Sequence, residues 1–418
     1  MPDYYGQTTA VLENDYLRLE YLLDAGPRIV RLFAGNSGQN LLAEMPNFEI
    51  PTSYGSYRFI GGHRLWHAPE AMPRTYVPDN EGLEVQELPD GVRLVELAPR
   101  LAGLPGVRRH KRWFVPLALP ALVRYLKRER PAALLSGGEW PNVIALAARR
   151  LAGGSTRVVV SEHIHVGAST AGAAERKRRR LLPRLMARLY PRADAIVAVS
   201  EGVRQDLLAR FPLPPTRVHT IYNPVITPAL LAARDAPLDD PWFAPGEPPV
   251  LLNVAALRVQ KDQATLLKAF ATLCAQRPVR LLILGEGSQR PALEALAGEL
   301  GIAADVRMPG YVPNPLAYMR RAAVFVLSSR YEGFGNVLAE ALVCGCPVVS
   351  TDCPAGPAEI LDNGRYGRLT PVGDVDALAR ALAAALDAPS DRPALEQRGL
   401  AYSAAAAAGP YLRALLGP

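Results

Sequence analysis

The sequence predicts an α/β protein in which two parallel-sheet, Rossmann-like domains follow a short β-rich segment. Three observations carry that expectation. From Val250 onward, short apolar runs bounded by loops alternate with helical stretches, the pattern of a doubly wound parallel sheet. Near residue 97 the pattern changes from strand-like alternation to α/β, and the charge changes with it: the net is −7 over residues 1–99, +16 over 100–220 and −2 over the remainder. Finally, the stretch Tyr331 to Ile360, YEGFGNVLAEALVCGCPVVSTDCPAGPAEI, follows the buried run Val324 to Leu327 and reads as glycine loop, helix and strand.

A chain of 418 residues with 49% hydrophobic content has enough apolar surface for two or three domains. No apolar run reaches about 18 residues, so no membrane-spanning helix is expected. No charged-then-apolar leader opens the sequence, which points to a cytoplasmic protein. Cys274, Cys344, Cys346 and Cys353 read as small buried thiols of a reducing compartment. The pair Cys344 and Cys346 lacks the second pair or histidine cluster that a metal site would need, and no metal is expected.

Residues 1–96 read as β structure. Tyr16 to Tyr21 and Arg28 to Phe33 are strand candidates, Leu83 to Leu88 alternates, and Gly26-Pro27, Gly35-Asn36 and Asp90-Gly91 signal turns. The segment Tyr57 to Asn80, YRFIGGHRLWHAPEAMPRTYVPDN, gathers His63, Trp66, His67, Glu70 and Arg74. Its wording resembles the opening of aldose 1-epimerase-like (galactose mutarotase-like) β-sandwich proteins, which bind sugars. The glycines and prolines around His63 and His67 argue against a helix, so a structural role suits these histidines better than metal ligation.

From residue 97 to 222 the chain reads as a first α/β domain. Leu117 to Glu129 is helical, Ala132 to Ser136 a strand, Pro141 to Leu151 a helix and Arg157 to Ser161 a strand. Glu162-His163 stands at the carboxyl end of that last strand, where ligands of open α/β sheets bind. His163 is therefore a candidate site residue, with His165 a second possibility and structural capping the alternative. Glu175 to Arg192, ERKRRRLLPRLMARLYPR, holds eight basic residues and one acid, with Leu181, Leu182, Leu185, Met186 and Leu189 at helical spacing apart from the break threatened by Pro183. It suits an anionic membrane surface, or else a solvated face over a core stripe. Aromatic stacking residues and a reading module are missing, so no nucleic acid is expected. Ala195 to Ser200 is the next strand, and Ser200-Glu201 opens a helix.

Residues 223–395 form the second domain, with the Pro-rich run Pro237 to Pro249 at its edge. Strands are expected at Val250–Ala255, Val279–Leu284, Val306–Met308, Val324–Leu327 and Val348–Ser350. Helices are expected at Gln263–Ala275, Gln289–Leu300, Leu316–Ala322 and Asn336–Val343. Gly285-Glu286-Gly287 forms a tight loop after its strand, and Lys261 sits on the loop leading into a helix, placed to neutralise a diphosphate. Gly333 and Gly335 bracket Phe334, with Asn336 and Val337 next, so that backbone N–H groups at a helix start face phosphate oxygens. Glu332 stands at the loop entrance, and Glu340 lies about one turn into the helix.

Two glutamates at this spacing with G-F-G-N between them resemble the E-x7-E element of the retaining glycosyltransferases of family 4, which have the two-domain GT-B fold. The resemblance runs from about residue 97 to the end. It implies that Glu332 meets the donor sugar, Glu340 the ribose hydroxyls, and Gly333, Phe334, Gly335, Asn336 and Val337 the diphosphate. It implies further that His163 lines the donor sugar and acceptor, and that Lys261 stabilises the leaving nucleotide. Where the family usually has an arginine five residues before that lysine, this sequence has Ala256, and Arg258 lies two residues along. Pro309 to Pro313, with Tyr311 at its centre, resembles the loop that touches the base, and Gly285 and Glu286 join the donor set. Ile221-Tyr222-Asn223-Pro224-Val225 resembles the family's crossing between domains, and residues 396–418, notably Gln397 to Leu416, the helix that returns to the first.

The resulting expectation is a retaining hexosyltransferase that uses a nucleotide sugar, UDP- or GDP-linked, as substrate, with no cofactor and no essential metal. The acceptor would be a glycan or lipid-linked precursor, and the enzyme would lie peripherally at the inner membrane face. Two alternatives stay open: a nucleotide-sugar-binding protein made inactive by its truncated acceptor domain, and a sugar-binding or epimerase-like module in residues 1–96.

Overall fold

The computed structural model describes residues 3–4, 7–13, 17–22, 28–34, 48–52, 55–59, 63–64, 111–170 and 181–417. The chain divides into two units, 1–111 and 112–418. In the first, strands β1 (Asp3–Tyr4), β2 (Gln7–Glu13), β3 (Leu17–Leu22), β4 (Arg28–Ala34) and β7 (His63–Arg64) form one antiparallel sheet in the order β1-β2-β3-β4-β7. Strands β5 (Phe48–Thr52) and β6 (Gly55–Phe59) form a separate hairpin. Both strands expected between residues 16 and 33 are present within a residue or so, and His63 pairs with Ile29 in extended backbone. Trp66, His67, Glu70, Arg74 and the alternating Leu83 to Leu88 lie outside the described residues.

The second unit holds two parallel sheets. The first consists of β8 (Ala133–Gly137), β9 (Arg157–Glu162), β10 (Ala195–Ala198) and β11 (Val218–Thr220), in the order β11-β10-β9-β8. Around it run α1 (Lys111–Glu129), α2 (Glu139–Ala152), the single turn α3 (Val166–Ser169), α4 (Leu181–Leu189) and α5 (Glu201–Arg210). Residues of β9 and β10 are buried on both faces, as parallel strands covered by helices must be. Leu146 of α2, Met186 of α4 and Leu207 of α5 pack on one face. Leu182 and Met186 are almost fully buried, so the apolar stripe of this basic segment faces the core, and Arg184 and Arg188 remain exposed. Pro183 lies within α4, which runs over Leu181–Leu189. Residues 175–180 of the segment lie outside the described residues.

After a short helix, α6 (Pro228–Arg234), the second sheet comprises β12 (Val250–Val254), β13 (Arg280–Leu284), β14 (Val306–Gly310), β15 (Val324–Leu327), β16 (Val348–Thr351) and β17 (Arg368–Thr370). All neighbours are parallel and the order is β14-β13-β12-β15-β16-β17. Side chains alternate between its faces. Leu251, Leu281 and Val326 join the core beneath α7 (Gln263–Cys274), α8 (Arg290–Glu299) and α12 (Val375–Asp387). Leu252, Leu282 and Phe325 point the other way, under α9 (Leu316–Arg321), α10 (Asn336–Val343) and α11 (Pro357–Ile360).

A single returning helix over Gln397–Leu416 is replaced by two, α13 (Arg392–Leu400) and α14 (Ala404–Leu416). The break has a physical cause: Ser403 is extended, bridges Ile226 and caps α14 through its hydroxyl. Val225 N and Ile226 N both donate to Tyr402 O, at 2.9 and 3.0 Å, and Ala404 N donates to Ile226 O at 3.0 Å. The outgoing and returning crossings between the two sheets therefore run side by side. Beyond them α14 lays Ala407 and Ala414 on Val159, Ala195 and Val197, covering the second face of the first sheet. Ser403→Ala removes the cap that starts this helix and is expected to lower stability by about 1 kcal/mol, read as a drop of a few degrees in thermal melting.

Candidate active site

The order of the six-stranded sheet reverses between β12 and β15, and a crevice forms outside the carboxyl ends of strands at such a point. The loop after β12 carries Lys261, and the loop after β15 carries Glu332. Their side chains meet: Lys261 Nζ lies 2.6 Å from Glu332 Oε1. Ser329 Oγ donates to the same oxygen, also at 2.6 Å. The Glu332 side chain is only 8% exposed and that of Lys261 19%, so neither charge is well hydrated and each depends on the other. Two further bonds brace the loops, Gln260 Nε2 to Tyr331 O at 2.8 Å and Ser328 Oγ to Lys261 O at 2.8 Å.

From Glu332 the chain enters α10 over Gly335, whose φ of 93° lies in the left-handed region that glycine tolerates. The cap glycine has no side chain to accept from the first turn, and no capping hydrogen bond is present. Leu338 N donates to Gly335 O at 2.9 Å, while the N–H groups of Asn336 and Val337 have no partner within the helix and give the loop the character of an anion site. Asn336 is exposed and its Oδ1 accepts from Asn223 Nδ2 at 2.9 Å, which ties the loop to the crossing segment. Glu340 is half-buried, has no hydrogen-bond or ion-pair partner among the described residues, and is raised above the ordinary carboxylate range by burial. A half-desolvated acceptor of this kind suits hydroxyl donors.

The opposite wall comes from the first sheet. A Cβ on Gly333 would lie 2.0 Å from His163 O, so only glycine lets the two backbones meet there. Ser200 Oγ donates to Gly333 O at 2.6 Å and accepts from Val203 N at 3.2 Å, joining the loop to the cap of α5. His163 is exposed, its Nε2 lies 3.0 Å from Ser161 Oγ, and partial burial of the imidazole lowers its pKa. Near pH 7 it is the neutral, hydrogen-bonding form. His165, by contrast, caps α3: its Nδ1 accepts from Ala168 N at 3.1 Å. The capping role weighed for these histidines thus falls on His165, while His163 meets the loop through its backbone carbonyl and its imidazole lies against Ser161.

Beneath His163 lies a buried polar chain that sequence inspection does not reveal. Glu162, with no exposed surface, accepts from His163 N at 3.1 Å and from the Tyr190 hydroxyl at 2.8 Å. Asn142 Nδ2 donates to Tyr190 Oη at 3.2 Å and to Ser161 O at 2.8 Å. Burial pushes the Glu162 carboxyl up to about 7.

The remaining candidates stand at the margin. A Cβ on Gly287 would lie 2.2 Å from Leu257 O and one on Gly285 2.1 Å from Ala255 O, so this loop packs directly on the one that carries Lys261. Glu286 is paired with Arg290 at 2.9 Å. Tyr311 is 72% exposed beyond β14. Arg258 is exposed, with no partner among the described residues. Arg330, which the sequence did not single out, instead pairs with Asp262 at 3.1 Å beside Lys261. Cys344, Cys346 and Cys353 are buried free thiols pushed up to about 12 by burial. A cavity of about 510 Å³ lies at the amino ends of β16 and β17, away from these loops.

Comparison with known proteins agrees with this arrangement. Residues 237–401 match the family described as Glycosyl transferases group 1, and residues 76–227 match Glycosyltransferase Family 4. The N-acetylgalactosamine-N,N'-diacetylbacillosaminyl-diphospho-undecaprenol 4-alpha-N-acetylgalactosaminyltransferase of Campylobacter jejuni is 32% identical over 286 residues, covering 66% of this chain and 74% of its own. Among solved structures, the lipopolysaccharide outer core galactosyltransferase WaaB is similar with a TM-score of 0.56 and 21% identity, over 73% of this chain and 81% of that one. HepE of Anabaena, solved in complex with UDP, has a TM-score of 0.57 at 18% identity, over 71% of this chain and 81% of its own. At these identities the two structures speak to the fold, the GT-B pair of Rossmann-like domains.

The Glu162 network has a measurable signature. The folded chain holds this proton up to about pH 7, while the unfolded carboxyl releases it near 4.5. Between those values the native state binds more protons, so this group's contribution to stability falls as pH rises through the window. Glu162→Gln keeps one acceptor for His163 N and gains donors for Tyr190 Oη, without a charge. It is expected to be the more stable protein above pH 7, by up to about 3 kcal/mol, and to lack that slope. Urea unfolding at pH 5 and pH 8 tests this, and parallel pH profiles for the two proteins would refute it.

Proposed function

This chain belongs to the group 1 and family 4 glycosyltransferases, and from that premise we propose that it moves a hexose from a nucleoside-diphosphate sugar to a hydroxyl of a lipid-linked or polysaccharide precursor, with retention at the anomeric carbon. The observation that carries this reading is the Lys261–Glu332 pair, 2.6 Å apart in the crevice beside the uncapped start of α10. The diphosphate sits on the N–H groups of Gly335, Asn336 and Val337 and draws Lys261 part-way from Glu332. Glu340 receives the ribose hydroxyls, and Gly285, Glu286 and Tyr311 border the base. In transfer, the bond from the anomeric carbon to the diphosphate breaks, and its electron pair goes to the departing oxygen. The acceptor oxygen bonds to that carbon and its proton passes to the released diphosphate or to water. Lys261 and the loop amides stabilise the charge that grows on the leaving group.

UDP is the first choice of nucleotide, supported by the UDP complex of HepE, and GDP the second. A lipid-linked acceptor is supported by the name of the Campylobacter relative. The diphosphate charge is met by protein groups, so the reading involves no cofactor or metal. The exposed Arg184 and Arg188 support attraction to an anionic surface, with Leu181 exposed beside them while Leu182 and Met186 are spent in the core, and the reading puts the enzyme peripherally on the cytoplasmic face of a membrane. No described helix is long and apolar enough to cross a membrane.

A second reading, donor binding without transfer, is favoured by the small first sheet, four strands among the described residues. The antiparallel sheet of the first unit suits an aldose 1-epimerase-like module there. Calorimetric titration with UDP, GDP and ADP, repeated on Glu340→Ala and Lys261→Ala, tests the donor site. One nucleotide is expected to bind saturably and each substitution to weaken it about tenfold or more. Equal binding by all three proteins would exclude these residues from the site, and product formation with a lipid-linked acceptor panel separates transfer from binding alone.

A further inference from the structure

Glu359 touches none of the donor groups named above, yet it occupies the junction of everything that positions them. It lies in α11, and its carboxylate accepts from Glu201 N at 2.7 Å and Gly202 N at 2.9 Å, the first two amides of α5. These donors have no partner inside their own helix, and the positive end of the helix dipole favours a carboxylate there. The contact joins residues 158 and 157 positions apart, from opposite walls of the cleft.

The surrounding backbone is shaped to allow it. A Cβ on Gly202 would lie 2.8 Å from Ala355 Cα, and one on Gly356 would lie 1.8 Å from Phe334 O. The segment leading to Glu359 is thus wedged between the start of α5 and the donor loop. Ala355 holds a φ of 69°, a left-handed conformation that costs an alanine about 1 kcal/mol and persists only where neighbours enforce it. On its other side the Glu359 carbonyl accepts from Arg398 Nη2 at 2.5 Å and from the Tyr402 hydroxyl at 3.4 Å, both on the returning crossing.

We infer that Glu359 is a positioning residue for transfer: docked on the first turn of α5, it holds the loop of residues 333–337 against His163, so that a bound donor faces the acceptor wall. The inference rests on the transfer reading above. Donor contacts come from Lys261, Glu332 and the α10 amides, all in the second domain. Losing Glu359 therefore frees the loop's placement while leaving the donor's own contacts in being.

The test compares wild type, Glu359→Ala and Glu359→Gln. UDP affinity is measured by calorimetry, turnover as UDP released from UDP-N-acetylgalactosamine, UDP-galactose and UDP-glucose in the presence of a lipid-linked acceptor panel, over the release without acceptor, and docking as hydrogen exchange of the Glu201 and Gly202 amides. For Glu359→Ala the expected result is a UDP Kd within about twofold of wild type, a kcat lower by about tenfold or more, and faster exchange at those two amides. Glu359→Gln, which keeps one neutral acceptor, is expected to fall between, and it decides the question if the alanine variant does not fold. Unchanged kcat in a variant whose two amides exchange faster would overturn the inference. So would a loss of UDP affinity that matches the loss of turnover, because Glu359 would then be serving donor binding itself. A wild type that binds GDP in place of UDP moves the same measurements to GDP and its sugars, and one that binds neither sinks the transfer reading, and the positioning role with it.

Discussion

Gly333 has its backbone against the carbonyl of His163, and the arrangement of the two parallel sheets depends on that approach. Any side chain at residue 333 would occupy the space of the His163 carbonyl, 2.0 Å from where its Cβ would lie. The Ser200 hydroxyl adds a bond to Gly333 O at 2.6 Å, and Glu359 fastens the neighbouring segment to the same helix. Closure of the cleft and placement of the donor loop are thus set by one group of contacts.

The charges in the crevice fit a site better than a scaffold. A buried ion pair contributes little net stability, because desolvation offsets most of the attraction. Lys261 and Glu332 sit where the strand order reverses, next to a helix start that lacks a cap, which a structure selected for stability alone would ordinarily fill with an acceptor side chain. An uncapped helix start, a shareable lysine and the Glu340 carboxylate, which has no partner among the described residues, together leave room for an anion with hydroxyls attached. Glu286 and Tyr311 are less committed: the first is held by Arg290, and the second is open to solvent.

What was legible in the sequence follows from the range of the forces. Val324–Leu327 and Asn336–Val343 emerge with the expected bounds because apolar runs, glycine breaks and helical spacing are local signals. That Lys261 and Glu332 both stand on loops after strands was legible from the alternation of strands and helices, but their direct pairing, between residues 71 positions apart, was not. Ser200 and Glu359 were not legible as site-building residues, since their partners are 133 and 158 positions away and a capping serine looks the same whether or not it also reaches another domain. The split of the last helix was missed because Ser403 is drawn into extended pairing by Ile226, on a distant crossing. Likewise the basic helix showed its stripe but not its orientation, which packing on α2 decides. The Family 4 match begins at residue 76, ahead of the charge change near 97.

The most direct measurement is the activity of Gly333→Ala, assayed with donor and a lipid-linked acceptor alongside UDP titration. The native φ at this residue is not in the left-handed region, so alanine suffers from the His163 carbonyl and not from its own backbone. The expected result is that UDP still binds while transfer falls by about a hundredfold, because the donor loop can no longer close on the acceptor wall. Transfer at the wild-type rate would contradict the account, since it would mean that the approach of the two backbones is not needed for the reaction.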